Sequence, residues 1–409
     1  MLSTIKIVSG AGGTPWSDNQ RACVLEVRSE HKLNDLTSFS ILMHDIPDRR
    51  EDTEHRLLAV GNQVAVLIRV AESDNWQVLF QGKVTEIETH ETQGGIGSTI
   101  LYKGVDIRSV MAGRHFTGSW SGQVDDVMEQ IIKLDFSNTE VDAPVNNTLD
   151  PDENPLAQNS NNLEFVRDQA VAYGFNFWVS YATIPEDTLG SAIEAVTPGS
   201  PAVTIEPTIH WGQSPYLQAK LGELVLGDPD LNLPVLDNGD SQTPIDFNVH
   251  VNSNSCPNVM SFEVTSDGQE VSVMEGEQDG VGLGASIPAA GANPFADPGD
   301  PDAPIVFFVP RAVQSNEQDD AVNIALETAR GFNKRAKLST TLRMIERIIL
   351  PHDLGMLHGV ADELSGILFR VSETVHVIRL DDHFMDVVLE SDGEVPASSD
   401  AGNLLEGVI

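Results

Sequence analysis

Cysteine is nearly absent: the 409 residues hold two, Cys23 and Cys256, and no CxxC pair. That excludes a disulfide framework and a cysteine-based zinc module. Basic residues are scarce too, 24 against 62 acidic, for a formal net charge of −38. Holding a phosphate backbone needs clustered Lys and Arg, so stable capture of nucleic acid is disfavoured. No eighteen apolar residues run together, which argues against a membrane-spanning helix and any stable membrane association. The opening Met1-Leu2-Ser3-Thr4-Ile5-Lys6 has no apolar signal segment, so the chain is expected to stay in a cytoplasm unless lysis or assembly into a particle carries it out. Aromatic residues make up 6%, thin provision for a module that grips carbohydrate or a receptor with exposed rings. The excess acid can be general surface solvation, adaptation to salt, or a channel wall that repels passing phosphates.

Patterns that carry chemistry each lack an essential residue. Gly118-Ser119-Trp120-Ser121-Gly122 is close to a nucleophile elbow, but Trp120 stands where the attacking serine belongs. His352 and His358 are off the spacing of HExxH. Asp228-Pro229-Asp230-Leu231-Asn232 begins like a calcium loop, yet Leu233 replaces the turn glycine and Gly239 the bidentate Glu. Gly280-Val281-Gly282-Leu283-Gly284 lacks the Gly-Lys-Ser/Thr of a phosphate loop. No catalysis, cofactor or metal is therefore expected. Arg330, Lys334, Arg335, Lys337, Arg343 and Arg347 do concentrate six of the 24 basic residues. They either complement a helix C-terminus and the chain's own carboxylates, or form a candidate interface for an acidic neighbour, another copy included.

The length calls for several domains. Val64, Val66, Ile68 and Val70, then Trp76, Val78 and Phe80, alternate with the period of half-buried strands, and turn residues separate the runs. From Gln123 to Leu134 the period becomes helical, with Val124, Val127, Met128, Ile131 and Leu134 on one face. The polar stretch 138–160 reads as a loop. Asn161 then caps a second helix with Glu164 three residues on, Leu163, Val166, Ala170 and Tyr173 form its face, and Gly174 ends it. Phe175 to Tyr181 alternates as a strand. A second β region starts near Trp211. Residues 266–302, rich in Gly, Pro, Asp and Ala, read as an irregular insertion; a strand follows at Ile305–Val309, and Ser315-Asn316-Glu317-Gln318 opens another helix with Val322, Ala325, Leu326 and Ala329 on its face. Phe369, Val371, Glu373, Val375 and Val377 alternate once more, ahead of a hairpin behind Asp381-Asp382.

The fold class expected is α+β, mainly β: two similar antiparallel β-barrel domains, with an α/β lobe and a second, irregular insertion. The expected boundaries are 1–110 for the first barrel, 111–210 for the lobe and 211–265 for the start of the second barrel. Residues 266–338 form the acidic insertion and helix, 339–392 the remainder of the second barrel, and 393–409 a C-terminal tail. A duplicated barrel accounts for strands at both ends better than one large sheet.

Phe80-Gln81-Gly82-Lys83-Val84, Tyr102-Lys103-Gly104-Val105-Asp106, Gly113-Arg114-His115-Phe116-Thr117-Gly118, the helix after it, Asn162-Leu163-Glu164-Phe165-Val166 and Ala172-Tyr173-Gly174-Phe175 occur in an order that resembles the late control protein D family of phage tails. Ser365 to His376, and the helix 319–332 with basic residues after it, extend the resemblance, which covers roughly 60–180 and 315–390. That family includes baseplate hubs and the hub half of VgrG spikes. The resemblance implies a homotrimer that joins a six-fold tail tube protein to a separate three-fold spike protein and lines the channel. Its neighbours would be baseplate wedge and tape-measure proteins, with DNA or cargo only in passage. Its location would be the tail baseplate of a virion or of a phage-derived injection particle, assembled in the host cytoplasm. The oligonucleotide-binding-type domain and needle of VgrG have no counterpart in the nineteen residues after Glu390, so spike function is not carried over. Other classes are a baseplate-associated cell-wall hydrolase, whose paired carboxylates could hide among 62 acids, and a host-binding tail module.

Overall fold

The computed structural model describes residues 5–10, 14–45, 58–69, 75–92, 97–144, 148–149, 156–173, 175–185, 205–216, 231–234, 244–251, 259–266, 269–275, 306–315, 336–343, 348–358, 368–379 and 382–391. The first β region holds β1 (Ile5–Ser9), β2 (Thr14–Pro15), a short helix α1 (Asp18–Ala22), β3 (Val24–Lys32), β4 (Ser38–His44), β5 (Gln63–Arg69), β6 (Asn75–His90) and β7 (Thr99–Asp106). A 3-10 turn, Ile107–Gly113, leads into β8 (His115–Trp120), β9 (Gly122–Gln123), α2 (Val124–Ile132), β10 (Asn138–Val141), β11 (Thr148–Leu149), β12 (Leu156–Asn161), α3 (Asn162–Ala172), β13 (Asn176–Tyr181), β14 (Ile184–Pro185) and β15 (Pro207–Gly212). The remainder is β16 (Leu231–Pro234), β17 (Pro244–Val251), β18 (Val259–Ser266), β19 (Gln269–Glu275), β20 (Val306–Ser315), β21 (Ala336–Arg343), β22 (Leu354–His358), β23 (Leu368–Arg379) and β24 (His383–Ser391).

The mainly-β, α+β class stands, but the two barrels do not. The described strands of both β regions pair along one open path, β17-β21-β24-β23-β3-β4-β7-β6-β5-β1-β2, within a sheet of 14 strands. The reason is the middle of that path. β23 pairs with β24 on one edge and with β3 on the other, from Glu373↔Lys32 to Arg379↔Glu26. Backbone groups that would close two separate barrels are used to join the two regions instead, and a backbone donor can fill one ladder only.

The alternation read in β5 is real, yet both of its faces are buried. Val64, Val66 and Ile68 join Ile5, Ile7, Phe39, Ile41 and Phe80 in the main core. On the other face Leu67 packs with Val8, Trp76 and Val78, where Tyr181 and Ile184 of the lobe cover it. Each such side chain contributes about 1.5–3 kcal/mol of apolar burial, so lobe and sheet stabilise one another.

In β23 the period of two breaks. A β-bulge between Val371 and Glu373 shifts the register, so Thr374, His376 and Ile378 continue the buried face that Phe369 and Val371 began. One extra residue moves every later side chain to the opposite face. The run Glu373, Val375, Val377 therefore does not extend the face of Phe369 and Val371.

The lobe has its own core. α2 and α3 lie over a sheet ordered β10-β15-β13, with β15 parallel to β10 and antiparallel to β13. Val124, Val127, Met128 and Ile131 from α2 and Leu163, Phe165, Val166 and Ala170 from α3 bury Trp211, whose indole N–H donates to the Val166 carbonyl at 3.1 Å. The two helices occur where their periodicity puts them. Asn161 caps α3, its side chain accepting from the Glu164 N–H at 2.9 Å. Leu134 lies past the end of α2 and is 52% exposed, not on its buried face. Gly174 lies outside the described residues.

Three further readings change. The stretch 138–160 is not simply a loop: it supplies β10, β11 and β12, and β12 pairs with β8 from Leu156↔Trp120 to Asn161↔His115. Every residue of β8 but Trp120 is exposed, and only the paired Trp120 and Leu156 pack against the lobe core, so the ribbon leaves no alternation in the sequence. Trp211 does not begin the second β region but lies in the central strand of the lobe. The insertion is regular at its start, where β19 forms a hairpin with β18, and β20 then pairs with β18 in parallel. Gly280 to Gly284, the run Asp297 to Asp302, the calcium-like stretch at 228–230, the helix after Ser315 and the tail 393–409 lie outside the described residues. Among those described, no helix is long and apolar enough to cross a membrane.

Candidate functional site

Buried polar residues gather where the two β regions and the lobe meet. Asp106 ends β7 and caps the 3-10 turn, its carboxylate accepting from the Arg108 backbone N–H at 2.8 Å. The Arg108 guanidinium folds back onto the same carboxylate, with Nη2 2.6 Å and Nε 3.2 Å from Oδ2. Its other N–H groups donate to the carbonyls of Asp35 at 2.6 Å and Phe177 at 2.7 Å. Asp106 Oδ2 also accepts from the Thr37 N–H at 2.7 Å. One buried, charge-assisted set of bonds thus ties β7, the β3–β4 connection and β13 of the lobe. Asn34, held at φ 58°, adds an acceptor for the Phe177 N–H at 3.1 Å.

Beside it, three adjacent strands present a ladder of imidazoles on one sheet face. His31 of β3 lies edge-on to His376 of β23, ring centroids 5.5 Å apart. His376 Nδ1 is 3.0 Å from Nε2 of His383 on β24, and its Nε2 donates to the Ile349 carbonyl at 2.9 Å. The His31 nitrogens meet the hydroxyls of Ser29 at 2.9 Å and Thr37 at 3.2 Å. Burial pushes His31 well below the usual imidazole range, His376 to about 4 and His383 to about 3, because charge is poorly solvated there.

The segment 348–353 lies between this ladder and the lobe. At its turn His352 takes φ 80°, a conformation costly for a residue with a side chain. It is 9% exposed, and neither ring nitrogen has a hydrogen-bond partner among the described residues. Its ring stacks on Trp178 at 4.4 Å, and Trp178 stacks on His210 at 4.7 Å. Burial first, and the charges of Arg370 and Arg108 next, bring His352 down to about 3. The cleft bounded by His31, Asp106, Arg108, Trp178 and His352 measures about 40 Å³. That is room for a few waters, far short of the roughly 300–1,000 Å³ of a small-molecule site.

Of the basic cluster, Lys337 and Arg343 lie on β21, with Lys337 exposed, whereas Arg330, Lys334, Arg335 and Arg347 lie outside the described residues. None of the ladder histidines stood out in the sequence, because strand pairing alone brings residues 31, 376 and 383 together. The usable signal was Ser29 and His31 alternating with charged residues on a strand whose other inward positions are Val24 and Val27.

No protein-family model matches the sequence, and no curated protein does. Solved structures do match. A tail protein from Neisseria meningitidis MC58 is 12% identical, superposes with a TM-score of 0.59, and the match covers 95% of this chain and 97% of that one. The 43 kDa tail protein of prophage MuSo2 from Shewanella oneidensis is 10% identical with a TM-score of 0.57, covering 95% and 99%. At such identities the fold is what is shared, and it is shared with these two structures over 95% of this chain.

Proposed function

We propose that this chain is a structural subunit of a phage-type tail, its baseplate hub, acting as a ring of three. The observation that carries the reading is the reciprocal overlap with two tail proteins, which takes in 97% and 99% of their chains. A module borrowed for another task would share part of the fold, whereas this overlap takes in nearly the whole of both tail proteins. The motif order of the late control D family adds the hub assignment.

In the ring each subunit contributes two β regions, so three copies offer six β units to a six-fold tube and three equal faces to a separate spike. The domain limits expected from the sequence, with the lobe at 111–210, would then mark which parts face tube, neighbour and spike. Arg330, Lys334, Arg335, Lys337, Arg343 and Arg347 are the candidate interface with an acidic neighbour, the next subunit included. Part of the excess acid lines the channel and keeps passing phosphates from adhering. Wedge and tape-measure proteins are the further partners, and the chemistry is assembly, not catalysis.

Native mass measurement of the purified full chain at moderate salt tests the oligomer. Three copies are expected, held by a permanent interface of roughly 2,000 Å² or more. A monomer at every concentration would count against the ring.

A further inference from the structure

Eleven histidines are spread through the sequence, and five of them, His31, His210, His352, His376 and His383, converge on the seam. The bonds they make are those of neutral rings. The Ile349 carbonyl can only accept, so His376 carries its proton on Nε2, and its Nδ1 must accept from Nε2–H of His383. A second proton on His376 would set two N–H groups against each other across 3.0 Å unless His383 moved its own proton to Nδ1, so the pair cannot be charged without rearranging. His31 meets only hydroxyls, which suit a neutral ring.

The charges that face the cluster come from every element packed on it. From the first β region there is Arg108, with Asp106 already bonded to it, and Lys32, paired with Glu30 and Glu373. From the second there is Arg370 beside Glu390, while Asp353 accepts from the Leu350 N–H at 3.0 Å. From the lobe, His210 Nδ1 lies 3.0 Å from Glu140. Asp382 precedes His383 in the chain. Among the described residues, the seam's buried Asp106 is bonded to Arg108 and Glu390 lies 3.8 Å from Arg370, and a new imidazolium on His31 or His352 would stand beside Arg108, and on His352 beside Arg370 as well.

We propose that the ladder is an acid-sensitive catch. With its rings neutral it clamps segment 348–353 onto the sheet, and through the His352–Trp178 stack it holds the lobe against that segment; protonation releases segment and lobe. The catch does not depend on the hub reading, because all of its parts lie within one chain.

The sign follows from burial. The folded-state values of about 4 for His376, and about 3 for His383 and His352, lie below the 6.5 of a free imidazole, so the opened form takes up protons first. The closed form is fully favoured above about pH 6.5 and loses ground as pH falls from there toward about 4. Each ring held neutral raises the open-to-closed ratio about tenfold per pH unit in that window, so three approach about a thousandfold.

The test is a titration of the full-length protein from pH 7.5 to 4.5. It would follow Trp178 emission, assigned with Trp178→Phe, and the denaturant midpoint, in wild type and in His376→Gln/His383→Gln. The expected result is a steep fall of the midpoint below pH 6.5 with a change in Trp178 emission, and a shallower fall in the double variant. Histidine-selective NMR on wild type gives an independent reading should the variant not fold: rings 376, 383 and 352 should not titrate before the protein opens. The proposal is overturned if the midpoint and emission stay flat to pH 4.5, if the double variant keeps the full acid response, or if these rings titrate near 6.5 in the closed protein.

Discussion

Arg108→Leu should destabilise the protein by about 3–5 kcal/mol, the usual consequence of stranding a buried charge. Arg108 is 3% exposed and Asp106 is 1% exposed. Removing the guanidinium leaves the Asp106 carboxylate with only the backbone N–H groups of Thr37 and Arg108. It also orphans the carbonyls of Asp35 and Phe177, each an acceptor that loses its donor. The loss should be larger than for Asp106→Asn/Arg108→Leu, because the double change removes the uncompensated charge together with its partner. Denaturant unfolding at neutral pH measures both. A loss under about 1 kcal/mol for the single change would mean that this ion pair does not tie the lobe to the sheet.

Gly104→Ala should cost about 3 kcal/mol or more, at the upper end of what overpacking does. β4, β6 and β7 are neighbours here, and the ring of Phe39, stacked on Phe80 at 4.5 Å, lies over the backbone of Gly82 and Gly104. A Cβ on Gly104 would come 2.3 Å from the Phe39 ring and 2.4 Å from the Lys83 carbonyl oxygen. The ring can turn aside, whereas the carbonyl belongs to the paired strand and cannot. Gly104→Ala/Phe39→Leu should accordingly recover part of the loss and not all of it. Thermal or denaturant midpoints decide, and an alanine at 104 that leaves stability unchanged would refute this packing. The same geometry explains two glycines in Phe80-Gln81-Gly82 and Tyr102-Lys103-Gly104: they stand where strand backbones must pass beneath an aromatic ring.

What was legible in the sequence depended on whether a segment has one buried face. α2 and α3 do, and their apolar spacing and the Asn161 cap placed them within about two residues of their ends. β8 and β12 form a ribbon whose first strand is almost wholly exposed, so their pairing left no periodic trace. β23 has two covered faces and a bulge, so its alternation read correctly through Val371 and then pointed the wrong way, away from His376. The joining of two β regions into one sheet rests on β23 meeting β3, more than 300 residues apart in the chain, and no local pattern encodes such a contact. The polar seam was hidden for the same reason. Asp106 appeared in a motif without a role, and Arg108 two residues on acquired its role only when the turn brought it back onto the carboxylate. The basic cluster shows the converse: local composition made it visible, and of its members among the described residues Lys337 and Arg343 take positions on β21.

An electron-microscopy map of the assembled particle, with the chain tagged at its C-terminus, tests the central claim most directly. The hub reading predicts three copies in a closed ring at the junction of tube and spike, with acidic side chains turned to the channel. The chain's absence from the particle, or copies scattered singly along its outside, would contradict it.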